Sequence, residues 1–501
     1  MPSPNILLFM VDQLSAFVLR SYGGRTCQTP NLDRLTDRGT VFEQAFCSYP
    51  LCAPSRCSLM TGRLPSRIGA FDNGAEFAAA IPTFAHHARL AGYDTCLSGK
   101  MHFVGPDQLH GFETRLTPEI YPTDMSWTPD PLANAPGFGV STMDTVLDAG
   151  PVAGSMQIDY DEDVTHQAIR KLHALARAPE RPPFLLTVSL TQPHDPYVSL
   201  PEYWALYEDV PIDPPQVPPI PPEARDPHSR SLYAHYSQDK AELTDQDYIR
   251  ARRGYFAMIS HIDALFGRVM TALEDLGFAD NTVVIFTSDH GDMMGERGMW
   301  FKKTLFNPAI QVPLILAQPG GAAGRVAGPV SLLDVCPTIL ELTGTDLRDV
   351  PHPLDGHSLL PMTQGAARQG PVFCEHIDGG TEAPRVAVID GAYKLVASRA
   401  YPTQLYDLNA DPLEQSDLAG QGHPAETQLM ARVEETWDLD QLHRDVIASQ
   451  RARGLVDRAL ATGAETAWSA NPADPAAYVR RGDRFPDVER RGYIPEAGRR
   501  S

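Results

Sequence analysis

Four short apolar runs along the chain each break into a polar cluster at the carboxyl end. NILLFMV (residues 5–11) runs into Asp12 and Gln13, and YDTCLS (93–98) into Lys100 and His102. PFLLTVSL (183–190) leads to His194 and Asp195, and NTVVIFTS (281–288) to Asp289, His290 and Asp292. Runs this continuous fit strands buried on both faces, as in a parallel sheet covered by helices. Between them, TFAHHARLAGY (83–93) and YFAMISHIDALFGRVMTALEDLGF (255–278) carry apolar residues at helical spacing, the second expected to stop at Gly277. The alternation predicts a doubly wound α/β fold, a large and mostly parallel sheet sandwiched by helices. Ligands of such sheets bind beyond the carboxyl ends of the strands, where all four clusters fall.

Residues 211–227 (PIDPPQVPPIPPEARDP) are too rich in proline for sheet or helix and read as an extended surface loop. From about residue 366 the pattern shortens to PVFCEHI, PRVAVID and AYKLVASR, which fit an antiparallel sheet. An arginine-rich helical tail follows. The expected organisation is a catalytic domain over 1–365, a smaller α+β subdomain over 366–435, and a tail over 436–501 that packs on a neighbouring subunit.

The net charge of −21 over 501 residues argues against nucleic acid and acidic lipid as partners. An anionic substrate would therefore need a local cluster of cations. The seven cysteines are an odd, scattered set with no disulfide or zinc spacing. The N-terminus has no basic flank, and no apolar run approaches membrane-spanning length, so a cytoplasmic enzyme is expected.

Asp12, Gln13, Asp289 and His290 bring hard oxygen donors and one imidazole to two strand ends. That set suits one divalent ion, with Ca²⁺ ahead of Mn²⁺ or Mg²⁺. In PLCAPSRCSLMTGR (50–63), Pro54 fits the first turn of a helix and Gly62 its far end. Cys52 then precedes a helix N-terminus, with Arg56 one turn along, a setting that stabilises a thiolate. Soft sulfur is mismatched to a hard-ligand metal, so the cysteine makes better sense if converted to a group bearing oxygen.

CAPSR followed by LMTGR resembles the signature of the sulfatases, in which that cysteine is oxidised to formylglycine. Asp12-Gln13, GKMH, TQPHDPY, SDHGDMMGERGMWFKK and YDLNADPLE are similar to further sulfatase motifs in the same order. PSRIGAFDNGAEF, LSGKMHFVGPDQLHGFE and SQRARGLVDRAL resemble the choline-sulfatase subgroup. The resemblance implies an alkaline-phosphatase-like fold and a formylglycine-generating maturase as a partner. It also implies a homo-oligomer, dimer or tetramer, and a small anionic sulfate ester as substrate. A hydrated formylglycine at Cys52 would attack sulfur, and loss of a proton from its second hydroxyl would expel sulfate. By family position Arg56 stabilises the hydrate and His102 is the base of the second step. Lys100 and Lys302 clamp the sulfuryl oxygens. His194 and Lys302 hold the sulfate or protonate the leaving oxygen, and Asn73 and Trp127 contact the substrate.

The segment after Trp127, PLANAPGFGVSTM (131–143), lacks the aromatic run typical of choline sulfatases, and Trp468-Ser469-Ala470 replaces their Trp-Asp-Phe. An aryl sulfate or another alkyl sulfate is therefore expected alongside a choline-like one. A phosphonate monoester or phosphodiester hydrolase of the same superfamily is the alternative, and a catalytically silent anion-binding protein is a remoter one. His86, His87, Met293 and Met294 are read as structural, as are Cys47, Cys57, Cys96, Cys336 and Cys374. Asp195 is read as orienting His194 or closing a turn, and Asp292 and Glu296 either as supports behind the metal ligands or simply as loop acids, outside the site.

Overall fold

The computed structural model describes residues 3–130, 141–321 and 323–462. The segments compared above with the choline-sulfatase pocket, 131–140 and 468–470, lie outside them. A nine-stranded sheet is built from β1 (Asn5–Val11), β2 (Thr40–Phe46), β3 (Asp94–Gly99), β4 (Thr114–Arg115), β5 (Phe184–Ser189), β6 (Thr282–Ser288), β7 (Gln311–Val312), β8 (Leu314–Ala317) and β9 (Gly324–Ser331). Its order is β9-β2-β8-β6-β1-β5-β3-β4, with β7 beside β2. The pairs β1–β5, β1–β6 and β3–β5 are parallel, while β7 and β8 run against the others.

Every residue of β1, β5 and β6 is buried, which explains their unbroken apolar sequence. Register then aligns the strand ends: Val11 faces Ser288, Met10 faces Ser189, and Ser189 faces Gly99. Residues 12, 100 and 289 are the next positions along three of these strands. The chemistry gathers at one sheet edge because four strands finish level.

Helix α1 (Cys52–Thr61) is buried along its whole length. Helices α2 (Met156–Arg177) and α3 (Asp245–Asp275) pack together, with α2 lying on β3 and β5. Helix α3 starts ten residues before the expected apolar run because Thr244 and Asp247 form a capping box there. It is long and apolar enough by composition to cross a bilayer, contrary to the expectation that no segment would be, but 78% of that window is buried inside the fold. The TFAHHARLAGY helix spans Phe84–Leu90, and His86 caps it through Thr83.

The second sheet, β10 (Val372–His376), β11 (Arg385–Asp390), β12 (Tyr393–Ser398) and β13 (Gln404–Asp407), is antiparallel throughout. Helices α4 (Pro424–Thr436) and α5 (Leu439–Leu460) share its core through Leu429, Val433, Leu442 and Val446. The same core takes in Tyr49, Leu51, Leu64 and Phe71, which flank α1. The described part of the tail thus packs on its own chain. The proline-rich loop is pinned by Glu296, whose carboxylate accepts from the N–H groups of Gln216 and Val217 at 3.0 and 2.8 Å. It holds one short 3-10 turn, Pro222–Ala224, and a helix already begins at Pro227, where proline's fixed φ suits a first turn.

Candidate active site

Helix α1 begins at Cys52 itself, one residue earlier than the sequence suggested, with Pro54 still inside the first turn. Leu51 occupies the capping position and has no side-chain acceptor to offer. A residue from another segment fills that role: the Ala53 N–H donates to Asn73 Oδ1 at 3.0 Å. Gly62 ends the helix in the left-handed region, φ 67°, as a C-terminal glycine does.

Cys52 Sγ lies 3.3 Å from His290 Nε2, 3.5 Å from Lys302 Nζ and 3.7 Å from Asp12 Oδ1. Asp12, Cys52, Asp289 and His290 are fully enclosed, with one donor atom of each within 4.8 Å of all the others. Arg56 crosses beneath them. Its Nε donates to Asp289 Oδ2 at 2.8 Å, its Nη2 lies 3.4 Å from Asp12 Oδ2, and Nη1 holds Lys100 O and Ser189 Oγ at 2.7 Å. Lys100 Nζ pairs with Asp12 and sits 3.9 Å above the Tyr121 ring. Lys302 Nζ donates to Gln13 Oε1 at 2.5 Å.

The donor set fits a hard cation. His290 Nδ1 faces the Gly291 carbonyl at 3.0 Å, which can only accept, so Nδ1 carries the proton. The Nε2 lone pair then points at two carboxylate oxygens, Asp12 Oδ1 at 3.7 Å and Asp289 Oδ1 at 3.8 Å. Burial pushes His290 down to about 4, so the ring stays neutral at physiological pH. These three acceptors turn toward one another on the side away from Arg56's bonds, an arrangement that suits a divalent cation. Gln13 does not face them, because its Oε1 is held by Lys302 and its Nε2 donates to Asp292 at 2.6 Å and Asp195 at 3.2 Å. Its backbone does take part: φ is 67°, and its N–H donates to Asp289 Oδ1 at 3.0 Å.

The expectation of a stabilised thiolate is corrected here. Burial, with Asp12 adding to it, raises the Cys52 thiol to about 11 despite Lys100 and Lys302, so the unmodified side chain is a neutral thiol. The same two lysines, with His194 and Arg56, outweigh burial at Asp12 and hold its carboxyl well below the usual range.

His102 and His194 are buried next to Tyr121. The Tyr121 ring stacks on His102 with centroids 4.9 Å apart and lies 6.0 Å from His194. Burial, reinforced by Lys100, keeps His102 well below its ordinary value, and neither ring nitrogen has a hydrogen-bond partner among the described residues. Burial and Lys302 do the same to His194, whose Nδ1 donates to the Asp195 carbonyl at 2.7 Å. Asp195 therefore orients His194 through its backbone and steadies Gln13 through its carboxylate. Trp127 lies edge-on to His102 at 5.5 Å.

Sequence reasoning missed several supports. Glu119 Oε2 accepts from the N–H groups of Met101 and His102 at 3.0 and 2.7 Å, fixing a turn in which His102 has φ 56°. Asp292, left outside the site as a support or a plain loop acid, accepts four hydrogen bonds beneath Gln13. Its place three residues after Asp289, on the same loop, was the available signal. Tyr121 carried none.

A neutral buried nucleophile position, converging cation ligands and two lysines define a hydrolase for esters of a tetrahedral oxyanion. The Sulfatase family matches residues 4–345, and the C-terminal family of N-sulphoglucosamine sulphohydrolase matches 295–442. The chain is 42% identical to a choline-sulfatase of Rhizobium meliloti (strain 1021) over 95% of its own length and 96% of the relative's. It is 28% identical to an arylsulfatase of Clostridium perfringens, covering 83% and 90%. The phosphonate monoester hydrolase of Agrobacterium radiobacter shares the fold, with TM-score 0.69 at 24% identity over 88% of this chain and 96% of that one. The chain belongs to the sulfatase family, close to choline-sulfatase, and its activity is the hydrolysis of a sulfate ester.

Proposed function

We propose that this sulfatase uses a formylglycine made from Cys52 and one divalent ion held by Asp12, Asp289 and His290, with Gln13 joining if it exchanges its bond to Lys302. Ca²⁺ suits the two carboxylates best, and Mn²⁺ or Mg²⁺ are the alternatives. The ion, when bound, supplies positive charge to the oxygens of the modified side chain and of the ester. The observation that carries the proposal is the placement of Cys52 Sγ, buried at the first turn of α1, 3.3 Å from His290 Nε2, 3.5 Å from Lys302 Nζ and 3.7 Å from Asp12 Oδ1, where sulfur itself has no use.

The remaining roles belong to this chain's own groups. Lys100 Nζ is fixed by Asp12 and Lys302 Nζ by Gln13, and the two clamp the sulfuryl oxygens. Arg56 fixes the relative position of Asp12 and Asp289 from below. Neutral His102, with nitrogens unpartnered among the described residues, can take a proton from the modified residue during sulfate release. His194 and Lys302 face the leaving oxygen. Tyr121 and Trp127 exclude water on that side.

The substrate is a small organic sulfate monoester, aryl or choline-like alkyl, in keeping with the names of the relatives. Phosphonate monoesters are a secondary reading, supported by the shared fold and the similar shape of the anion. Mass spectrometry of the peptide containing Cys52, from protein made together with a maturase, should show an aldehyde in place of the thiol. Turnover of 4-nitrophenyl sulfate, choline sulfate and a matched phosphonate should track the aldehyde fraction. A Cys52→Ser variant as active as the wild type would sink the proposal, because a serine sulfate cannot expel sulfate from a second hydroxyl.

A further inference from the structure

The alcohol side of the site is held by a segment far away in sequence. Arg453 of α5 reaches Asp72 with both terminal nitrogens, Nη1 to Oδ1 and Nη2 to Oδ2, each at 2.7 Å. Nη1 also donates to Thr128 Oγ1 at 2.9 Å, and Gln450 Nε2 adds a bond to Asp72 at 3.3 Å. The Arg453 side chain is 8% exposed and that of Asp72 is fully buried. Asp72 precedes Asn73, whose amide oxygen caps α1 one residue after Cys52. Thr128 follows Trp127, which lies against His102. One guanidinium therefore joins the loop of Asn73 to the loop of Trp127, the two residues that the resemblance implies contact the substrate. The loops abut closely: a Cβ on Gly74 would lie 2.4 Å from Thr128 N and 2.7 Å from the Trp127 carbonyl carbon.

The sulfuryl side is held by a different set of bonds, which meets this one where Asn73 caps α1. The bonds of Lys100, Lys302 and Arg56 run to Asp12, Gln13, Cys52, Asp289 and Ser189, all at the strand ends or in α1. A buried ion pair is a poor device for stability alone, since apolar replacements of the same volume often serve as well. A planar fork that fixes three segments is a good device for geometry.

We infer that Arg453 is a positioning residue for the leaving-group alcohol: it sets Asn73 and Trp127 as one wall and has no part in holding sulfate. The inference rests on the ester-hydrolase reading above. Three variants of the metal-loaded, formylglycine-bearing enzyme test it. Thr128→Val removes one bond without stranding a charge, Arg453→Lys keeps the charge but loses the fork, and Arg453→Gln loses both. Steady-state kinetics on 4-nitrophenyl sulfate should show KM raised about threefold in Thr128→Val and tenfold or more in Arg453→Gln, with Arg453→Lys between them. The inhibition constant of inorganic sulfate, which meets only the sulfuryl clamp, should stay within about twofold in all three. Unchanged KM in Thr128→Val and Arg453→Lys would overturn the inference, and so would KM and sulfate inhibition worsening together. These two variants decide the matter if Arg453→Gln does not fold. Should the wild type hydrolyse only a phosphonate ester, the sulfatase assignment fails, while the same comparison with methylphosphonate as inhibitor still judges Arg453.

Discussion

Replacing Asp292 by asparagine probes whether the hydrogen bonds below the metal ligands hold the site in shape. Oδ2 accepts from Gln13 Nε2 at 2.6 Å and Tyr197 OH at 2.7 Å, and Oδ1 from the N–H groups of Met294 and Phe301 at 2.8 and 3.0 Å. Four donors meet one carboxylate. An amide has one acceptor oxygen, and the two backbone N–H groups cannot turn away, so that oxygen stays with them. Its NH₂ then faces Gln13 Nε2, donor against donor. The tyrosine hydroxyl can rotate and accept. Gln13 can adapt only by turning its amide over, which removes Oε1 from Lys302 Nζ, its partner at 2.5 Å.

Gln13 either keeps Lys302 and loses its bond to residue 292, or turns over, bonds the new amide and loses Lys302, so one bond to a charged group is at stake, worth about 1.5–3 kcal/mol. For a chain of 501 residues an unfolding entropy of ~2.1 cal/mol/K per residue makes each kcal/mol about 1 °C of Tm. Asp292→Asn should thus lower Tm by about 1.5–3 °C. Misplacing Lys302 should also reduce kcat/KM for 4-nitrophenyl sulfate by about 10²-fold, the usual effect of losing one preorganised donor. Thermal unfolding by circular dichroism and initial rates at low substrate measure the two. A Tm within about 1 °C of wild type together with kcat/KM within about twofold would refute the assignment of Asp292 as the anchor of Gln13.

Acid should unfold the protein, and His110 is one identifiable cause. Burial outweighs Asp107 and takes His110 down to about 4 from 6.5, so the unfolded chain binds a proton in that interval and the folded one does not. Its contribution, present above pH 6.5 and lost toward pH 4, is about 3 kcal/mol, and a His110→Phe variant should flatten Tm against pH there; an unchanged slope would contradict it. Ca²⁺ or Mn²⁺ at a hundredfold excess over Kd should add about 2.7 kcal/mol to stability, a Tm rise that EDTA reverses and Asp289→Asn abolishes. Gly74→Ala should raise KM severalfold while Cys52 is still converted, because the added methyl displaces the Trp127 loop, 2.4 Å away at Thr128 N, and leaves α1 in place. Normal KM in that variant would show that the loop spacing does not matter.

The parts of the molecule legible in the sequence share one property: a run of residues doing one thing. The strands β1, β5 and β6 are apolar throughout because both faces are covered, and each run stops where the polar cluster starts. The level strand ends that bring Asp12, Lys100 and Asp289 together follow from parallel pairing alone. Glu119 and Tyr121 were not legible, and Asp292 only as a candidate support, because their importance comes from what reaches them. A carboxylate that accepts backbone N–H groups looks like any loop acid until the turn is folded. Helix α3 was read short because its first turns carry charge, and only its capping box marks the true start. Cys52 was legible as a position but not as a charge state. The dipole and cations visible in sequence favour a thiolate, whereas burial and Asp12, invisible there, win.

The two halves of the site are built by different means, and this explains why the reaction class could be read while the alcohol could not. The sulfuryl half hangs on strand ends and on the first turn of a buried helix, elements fixed by the sheet's own hydrogen bonds. Its residue types follow from the anion, which is the same in every ester of the class. The alcohol half is made of loops, Asp72–Gly74 and Trp127–Thr128, cross-braced by Arg453 from the far end of the chain. No periodicity links those three segments, and each could change without disturbing the sheet. If Asn73 and Trp127 contact the alcohol, as inferred above, substrate choice resides on a wall held by side chains and not by the sheet. A change of leaving group should be obtainable by substitutions in that wall, assayed as a shift in the kcat/KM ratio of choline sulfate to 4-nitrophenyl sulfate with the inhibition constant of inorganic sulfate unmoved.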